Sequence, residues 1–163
     1  VKSTKKKALA RLAAAAVIAP LTVVGVSGEA SARDGERVTW RNVATDRCLT
    51  SDGRSGVSTM KWTDCKAGYE WIEHSIQETS DGQGLYKFSV KPSYPDELCL
   101  DSSDAGRVYL NKCNKGEYQK WWQQKTPRGW RIVNKATTLA LDSSDYGRVY
   151  TNKVNSSDYQ LWK

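Results

Sequence analysis

Apolar and polar residues along this chain follow one another in short runs rather than in helical turns. Segments 38–43, 85–90, 107–111, 130–133 and 148–152 are rich in Val, Ile, Leu, Tyr and Trp, and clusters of Gly, Asp and Ser separate them. No long run keeps a helical period. The pattern predicts an all-β chain of short strands joined by tight turns.

The runs repeat. Residues 101–114 align without a gap on residues 142–155, with 11 of 14 positions identical, and the copies end in Tyr118-Gln119-Lys120-Trp121 and Tyr159-Gln160-Leu161-Trp162. A worn copy upstream starts at Cys48-Leu49-Thr50 and ends near Tyr69-Glu70-Trp71, and Asn42 precedes Cys48 by six residues as Asn134 precedes Ala140. The pitch is 51 residues from Cys48 to Cys99 and 41 from Cys99 to Ala140, so the first copy is ten residues longer. Three units of this size are too few for a propeller and point to a closed threefold β-barrel with a shared core of Trp and Leu. Trp121 and Trp162 are expected in that core.

Composition changes the picture only at the N-terminus. A basic stretch from Lys2 to Arg11 leads into the charge-free segment 12–28 and then Ala30-Ser31-Ala32, which predicts a secretory signal over residues 1–32 with cleavage after Ala32. The apolar segment is short for a membrane span. Residues 33–163 then carry 20 Lys and Arg against 17 Asp and Glu, a net charge of +3, against +7 for the whole chain. Such a balance argues against nucleic-acid binding, which rests on clustered cations. Export to the outside of a bacterial cell is expected, with no membrane attachment after cleavage and a monomeric mature chain.

Export also bears on the four cysteines. Cys48 and Cys65 flank the same part of the first unit that Cys99 and Cys113 flank in the second, while the third unit has Ala140 and Val154 there. Both partners are missing together, which predicts disulfides Cys48 to Cys65 and Cys99 to Cys113. With His74 as the single histidine and these wide spacings, no metal site is expected.

The Asp-Ser-Ser-Asp-x-Gly segments starting at Asp101 and Asp142 read in two ways: as turns in which the first Asp braces backbone amides, or as binding loops. Gln119 and Gln160 read as partners that orient the loop or its Asp. No pairing of nucleophile and base is evident, and Asp101 and Asp142 stand in different units, too far apart to act together on one glycosidic bond. No catalytic residue and no cofactor is expected.

The three units, with Cys/Ala-Leu-Asp at the start and Gln-x-Trp at the end, resemble the ricin B-type lectin family, and within it the actinohivin-like actinobacterial lectins. The resemblance covers most of residues 40–163 and is tightest in the second and third units. It implies a β-trefoil with units at about 38–84, 85–128 and 129–163, and a lectin whose partners are glycans or cell-wall polysaccharide. It further implies that Asp101 and Asp142 grip sugar hydroxyls, that Tyr109 and Tyr150 form a wall, that Asn114 and Asn155 touch the sugar from the side, and that Tyr118 and Tyr159 add a second aromatic. The chemistry fits: a carboxylate accepts from two neighbouring hydroxyls, and a tyrosine offers both an apolar face and a polar edge.

The first unit departs from this pattern. Thr50 replaces the Asp, and counting back from Cys65 sets Lys61 and Thr63 against Tyr109 and Asn111, with Lys66 against Asn114. A threonine cannot supply a charged pair of acceptors, so only the second and third units are expected to bind. Lys115-Gly116, Ser156-Ser157, Asn111 and Asn152 also differ from the actinohivin-like pattern. Two rival readings are a scaffold such as a trefoil protease inhibitor, using a loop in the insertion around residues 73–97, and a sugar-blind structural protein.

Overall fold

The computed structural model describes residues 35–64, 70–90 and 97–163. The expected signal segment, Cys65, Lys66 and Tyr69 lie outside the described residues.

Eleven strands are joined by tight turns: β1 (Glu36–Val38), β2 (Arg47–Ser51), β3 (Val57–Lys61), β4 (Trp71–Glu78), β5 (Gly84–Val90), β6 (Leu98–Ser102), β7 (Val108–Lys112), β8 (Trp121–Thr126), β9 (Gly129–Asn134), β10 (Ala140–Ser143) and β11 (Val149–Asn152). Single 3-10 turns at Trp62–Asp64, Glu117–Gln119 and Asp158–Gln160 supply the only helical backbone among the described residues. Among these residues, no helix is long and apolar enough to cross a membrane.

Strands β1, β4, β5, β8 and β9 pair in that order. The ring closes through the last residues. Trp162 bridges Trp130 on one side and Asn42 on the other, and Arg41 and Lys163 exchange backbone hydrogen bonds of 2.8 and 2.9 Å. Three hairpins, β2–β3, β6–β7 and β10–β11, cap this barrel. The arrangement is the β-trefoil that the repeats imply.

The hairpins engage one another in a cycle. Leu110 N donates to Ser55 O at 2.9 Å, Thr151 N to Gly106 O at 2.8 Å, and Thr59 N to Gly147 O at 2.8 Å. Gly106 and Gly147 stand at φ of +76° and +85°, and a Cβ on either would lie 2.7 Å from the carbonyl it meets across the cycle. Glycine is therefore required twice over, by backbone angle and by space.

The core repeats as the sequence does. Trp71, Trp121 and Trp162 are fully buried, and their indole N–H groups donate to the carbonyls of Leu49, Leu100 and Leu141 at 3.0, 3.0 and 3.1 Å. Burying one such ring contributes about 4–6 kcal/mol before conformational entropy is subtracted, and the satisfied N–H removes the penalty a buried donor carries. Asn42 and Asn134, also fully buried, tie neighbouring units together: their amides donate to Tyr159 O at 2.8 Å and Tyr118 O at 2.7 Å, while their oxygens accept from the turn that follows.

One reading of the first unit needs correction. Pairing within the hairpins sets Thr50 opposite Ser58, as Asp101 stands opposite Tyr109 and Asp142 opposite Tyr150. Ser58 and Met60, not Lys61 and Thr63, therefore occupy the places of Tyr109 and Asn111. Counting back from Cys65 crossed the turn at Trp62–Asp64, where the extra residues lie; counting forward from Cys48 does not. The insertion around residues 73–97 holds strand as well as loop: β4 runs to Glu78, and β5 from Gly84 to Val90 covers the run 85–90 that the sequence predicts as a strand. Residues 91–96 lie outside the described residues.

Candidate functional site

Each of the second and third hairpins turns one edge toward a shallow pocket, of about 330 Å³ beside β6–β7 and about 350 Å³ beside β10–β11. The chain builds both in the same way. Asp101 and Asp142 sit near the hairpin edge, almost fully buried at 3% and 4% exposure, and form part of each pocket's lining. Gln119 and Gln160, carried in by the 3-10 turn before the core Trp, donate to their Oδ2 atoms at 2.9 Å in both units. The same glutamines donate to Lys112 O and Lys153 O, and their Oε1 atoms accept from Asn114 N at 2.8 Å and Asn155 N at 2.9 Å. One fully buried amide thus fixes the carboxylate, the end of the hairpin and the following loop.

The two carboxylates differ in their other partners. Asp101 Oδ1 accepts from Ser102 N at 2.8 Å, and its Oδ2 also accepts from Asn111 at 3.2 Å. Asp142 Oδ1 is buried and makes no hydrogen bond. Neither carboxylate braces a run of turn amides. That role is seen in the first unit, where the exposed Asp52 Oδ1 accepts from the N–H groups of Arg54, Ser55 and Gly56 at 2.8–3.0 Å, and these bonds hold its pKa below the usual carboxylate value.

Tyr109 and Tyr150 stand across the strand from the carboxylates and are half-buried. Burial raises the pKa of both hydroxyls, and the negative charges of Asp101 and Asp142 add to the shift, opposed by Arg107 and Arg148. Asn114 and Asn155 are exposed at the far rim, where their oxygens accept from Gly116 N at 2.6 Å and Ser157 N at 2.8 Å. Asn114 lines the second-unit pocket, whereas Asn155 is not part of the lining of its counterpart. Tyr118 and Tyr159 close the opposite side, and their hydroxyls donate to Asp104 and Asp145 at 2.8–3.0 Å.

Asp104 and Asp145 were not singled out from the sequence as site residues. Both line the pockets, and each lies 14 residues before the tyrosine it holds in both repeats, a recurrence that marks the pair. Tyr146 was also missed. It occupies the place of Ala105, lines the third-unit pocket and is 91% exposed.

In the first unit Thr50 Oγ1 is turned onto Ser58 O at 3.3 Å, and neither a carboxylate nor an aromatic occupies the matching places. Elsewhere, Cys99 and Cys113 form a disulfide at the base of the second hairpin. The partner expected for Cys48 lies outside the described residues. Among the described residues no cluster of three His, Cys, Asp or Glu could hold a metal ion.

Comparison with curated protein sequences gives no significant match. Solved structures share the fold. The designed threefold-symmetric protein ThreeFoil superposes with a TM-score of 0.63 at 19% identity, over 78% of this chain and 96% of that one. SeviL, bound to asialo-GM1 saccharide, gives 0.60 at 16% identity, over 80% and 95%. An endo-β-galactosidase from Clostridium perfringens gives 0.61 at 18% identity, over 78% of this chain and only 31% of the enzyme. The three repeats, the capped barrel and the paired pockets accord with the family model that matches residues 36–162, and the chain belongs to the ricin-type beta-trefoil lectin domain family.

Proposed function

We propose that this protein is a secreted, monomeric lectin that binds glycan or cell-wall polysaccharide through the pockets of its second and third units, without cofactor and without catalysis. One observation carries the reading: the same Gln-to-Asp bond lies behind an open, tyrosine-walled pocket in both units and has no counterpart in the hairpin that lacks the Asp. A carboxylate held in place by an amide is preorganised to accept from vicinal hydroxyls, while the tyrosine face covers the C–H side of a sugar ring. The family match and the saccharide carried by SeviL support a glycan as ligand. The basic and apolar leader of the sequence supports export.

Each pocket is shallow, so single-site affinity is near millimolar, about 4 kcal/mol, and useful avidity comes from multivalent glycans. A glycan array on residues 33–163, followed by calorimetry with the best oligosaccharide, tests the reading. Two sites per chain are expected. Three equal sites would remove the claim that the first unit is silent, and no binding across a broad array would remove the function.

A further inference from the structure

A further cavity is distinct from either of the two sugar pockets. It has a volume of about 630 Å³ and lies between the tips of the second and third hairpins, where Arg107 bridges Tyr150 and Gly106 O accepts from Thr151 N. Tyr109 lines both this cavity and the second-unit pocket, and Tyr150 and Arg148 line both it and the third-unit pocket, so the three form one connected surface.

Its chemistry is opposite to that of its neighbours. Each sugar pocket is lined by two aspartates, whereas no carboxylate lines this cavity, whose charged groups are Arg107 and Arg148. Both arginines are exposed, and among the described residues neither guanidinium has a hydrogen-bond or ion-pair partner. The nearby loop carboxylates, Asp104 and Asp145, face the sugar pockets and hold Tyr118 and Tyr159 instead. Positions 107 and 148 correspond to Gly56 in the first unit, so the cations belong to the two units that carry the pockets.

We propose that this cavity receives an anionic substituent, a carboxylate or sulfate, of a glycan whose neighbouring residue occupies one of the two flanking pockets. The inference rests on the lectin reading and narrows it to acidic polysaccharides. Guanidinium groups bind carboxylate and sulfate through paired, charge-assisted hydrogen bonds. Valine and tyrosine side chains beside them offer an apolar face to the sugar ring that carries the anion.

The test uses probes that change charge on a fixed backbone: polygalacturonate against its methyl ester, and dextran sulfate against dextran. The parent should hold at least one charged probe about ten-fold tighter than its neutral counterpart, the order expected of paired charged contacts. Arg107→Gln, which lies outside both sugar pockets, should weaken that preference and leave neutral-glycan binding and the melting temperature unchanged, and adding Arg148→Gln should abolish it. Arg37→Gln with Lys125→Gln removes the same net charge from strands β1 and β8 and should keep the preference. Equal binding of charged and neutral probes, or a preference that survives loss of both arginines, would overturn this inference alone. If the array also finds no glycan, the lectin reading falls and this inference falls with it. The two acid sources are told apart by which charged probe loses affinity in the arginine double variant.

Discussion

Gln119 donates to Asp101 at 2.9 Å across 18 residues of chain, and Gln160 repeats the bond to Asp142 at the same distance. Both bonds join the end of a repeat to its beginning, so the glutamine two residues before the core tryptophan sets the direction of the candidate sugar acceptor. The surroundings of the two aspartates differ, and that difference can be measured.

Asp101→Asn sets an amide N–H against a donor whichever way it is flipped, because Ser102 N faces Oδ1 while Gln119 and Asn111 face Oδ2. A loss of about 1–3 kcal/mol is expected, or several degrees in melting temperature. Asp142→Asn can place its N–H₂ where Oδ1 now has no partner and should melt within about 0.5 kcal/mol of the parent. Each substitution should weaken sugar binding at its own site by roughly 1.5–3 kcal/mol, the range for hydrogen bonds to a charged group. Melts and calorimetry on the same samples decide this; an Asp142→Asn variant with two unaltered sites would remove the gripping role of the carboxylate.

Tyr146 makes the two pockets unequal, since Ala105 stands in its place in the second unit. The third-unit site should bind more tightly by about 0.5–1.5 kcal/mol, the contribution of an aromatic contact. Tyr146→Ala should bring both sites to a single affinity in a titration, with no change in stability. Unequal sites that persist in the variant would count against a contact from this ring.

Glu73 is buried in β4, accepts a hydrogen bond from Gln123, and has its pKa raised from 4.5 to about 7 by burial and then by the charges of Glu36 and Glu78. A raised carboxylate pKa means that the fold prefers the protonated form. Its favourable contribution is complete below pH 4.5 and is lost as pH rises toward 7, by about 3 kcal/mol. Glu73→Gln should flatten the dependence of melting temperature on pH across that window. A variant whose profile matches the parent's would show that other groups set it.

Cys99 and Cys113 close a loop of 14 residues. Replacing both with Ser should cost about 3 kcal/mol in the chain-entropy account without loss of sugar binding at neutral pH. Peptide mapping without reductant should recover this bridge together with one between Cys48 and Cys65. Recovery of a bridge between units would overturn the alignment of the repeats.

The architecture was legible because the repeat is written almost letter for letter in residues 101–114 and 142–155, and because an Asn at the unit start and a Trp at the unit end are positions that packing forbids to drift. Residues that act through one partner were harder to see. Asp104 looked like one more turn former, since its hydroxyl partner Tyr118 comes only after another turn of chain. The first unit was misregistered for a local reason: its extra residues form the turn at Trp62–Asp64, after the hairpin. The cavity between the hairpin tips left no local trace, because neighbouring units build it together.

The closure of the barrel sets an order on its assembly. Residues 161–163 fill the gap between β9 and the segment at Arg41 and Asn42, so an emerging chain lacks a barrel strand until these residues have left the ribosome. Every earlier length has two unpaired sheet edges and lacks the third core tryptophan. The barrel therefore stays open until residues 161–163 have joined β9 to the segment at Arg41 and Asn42.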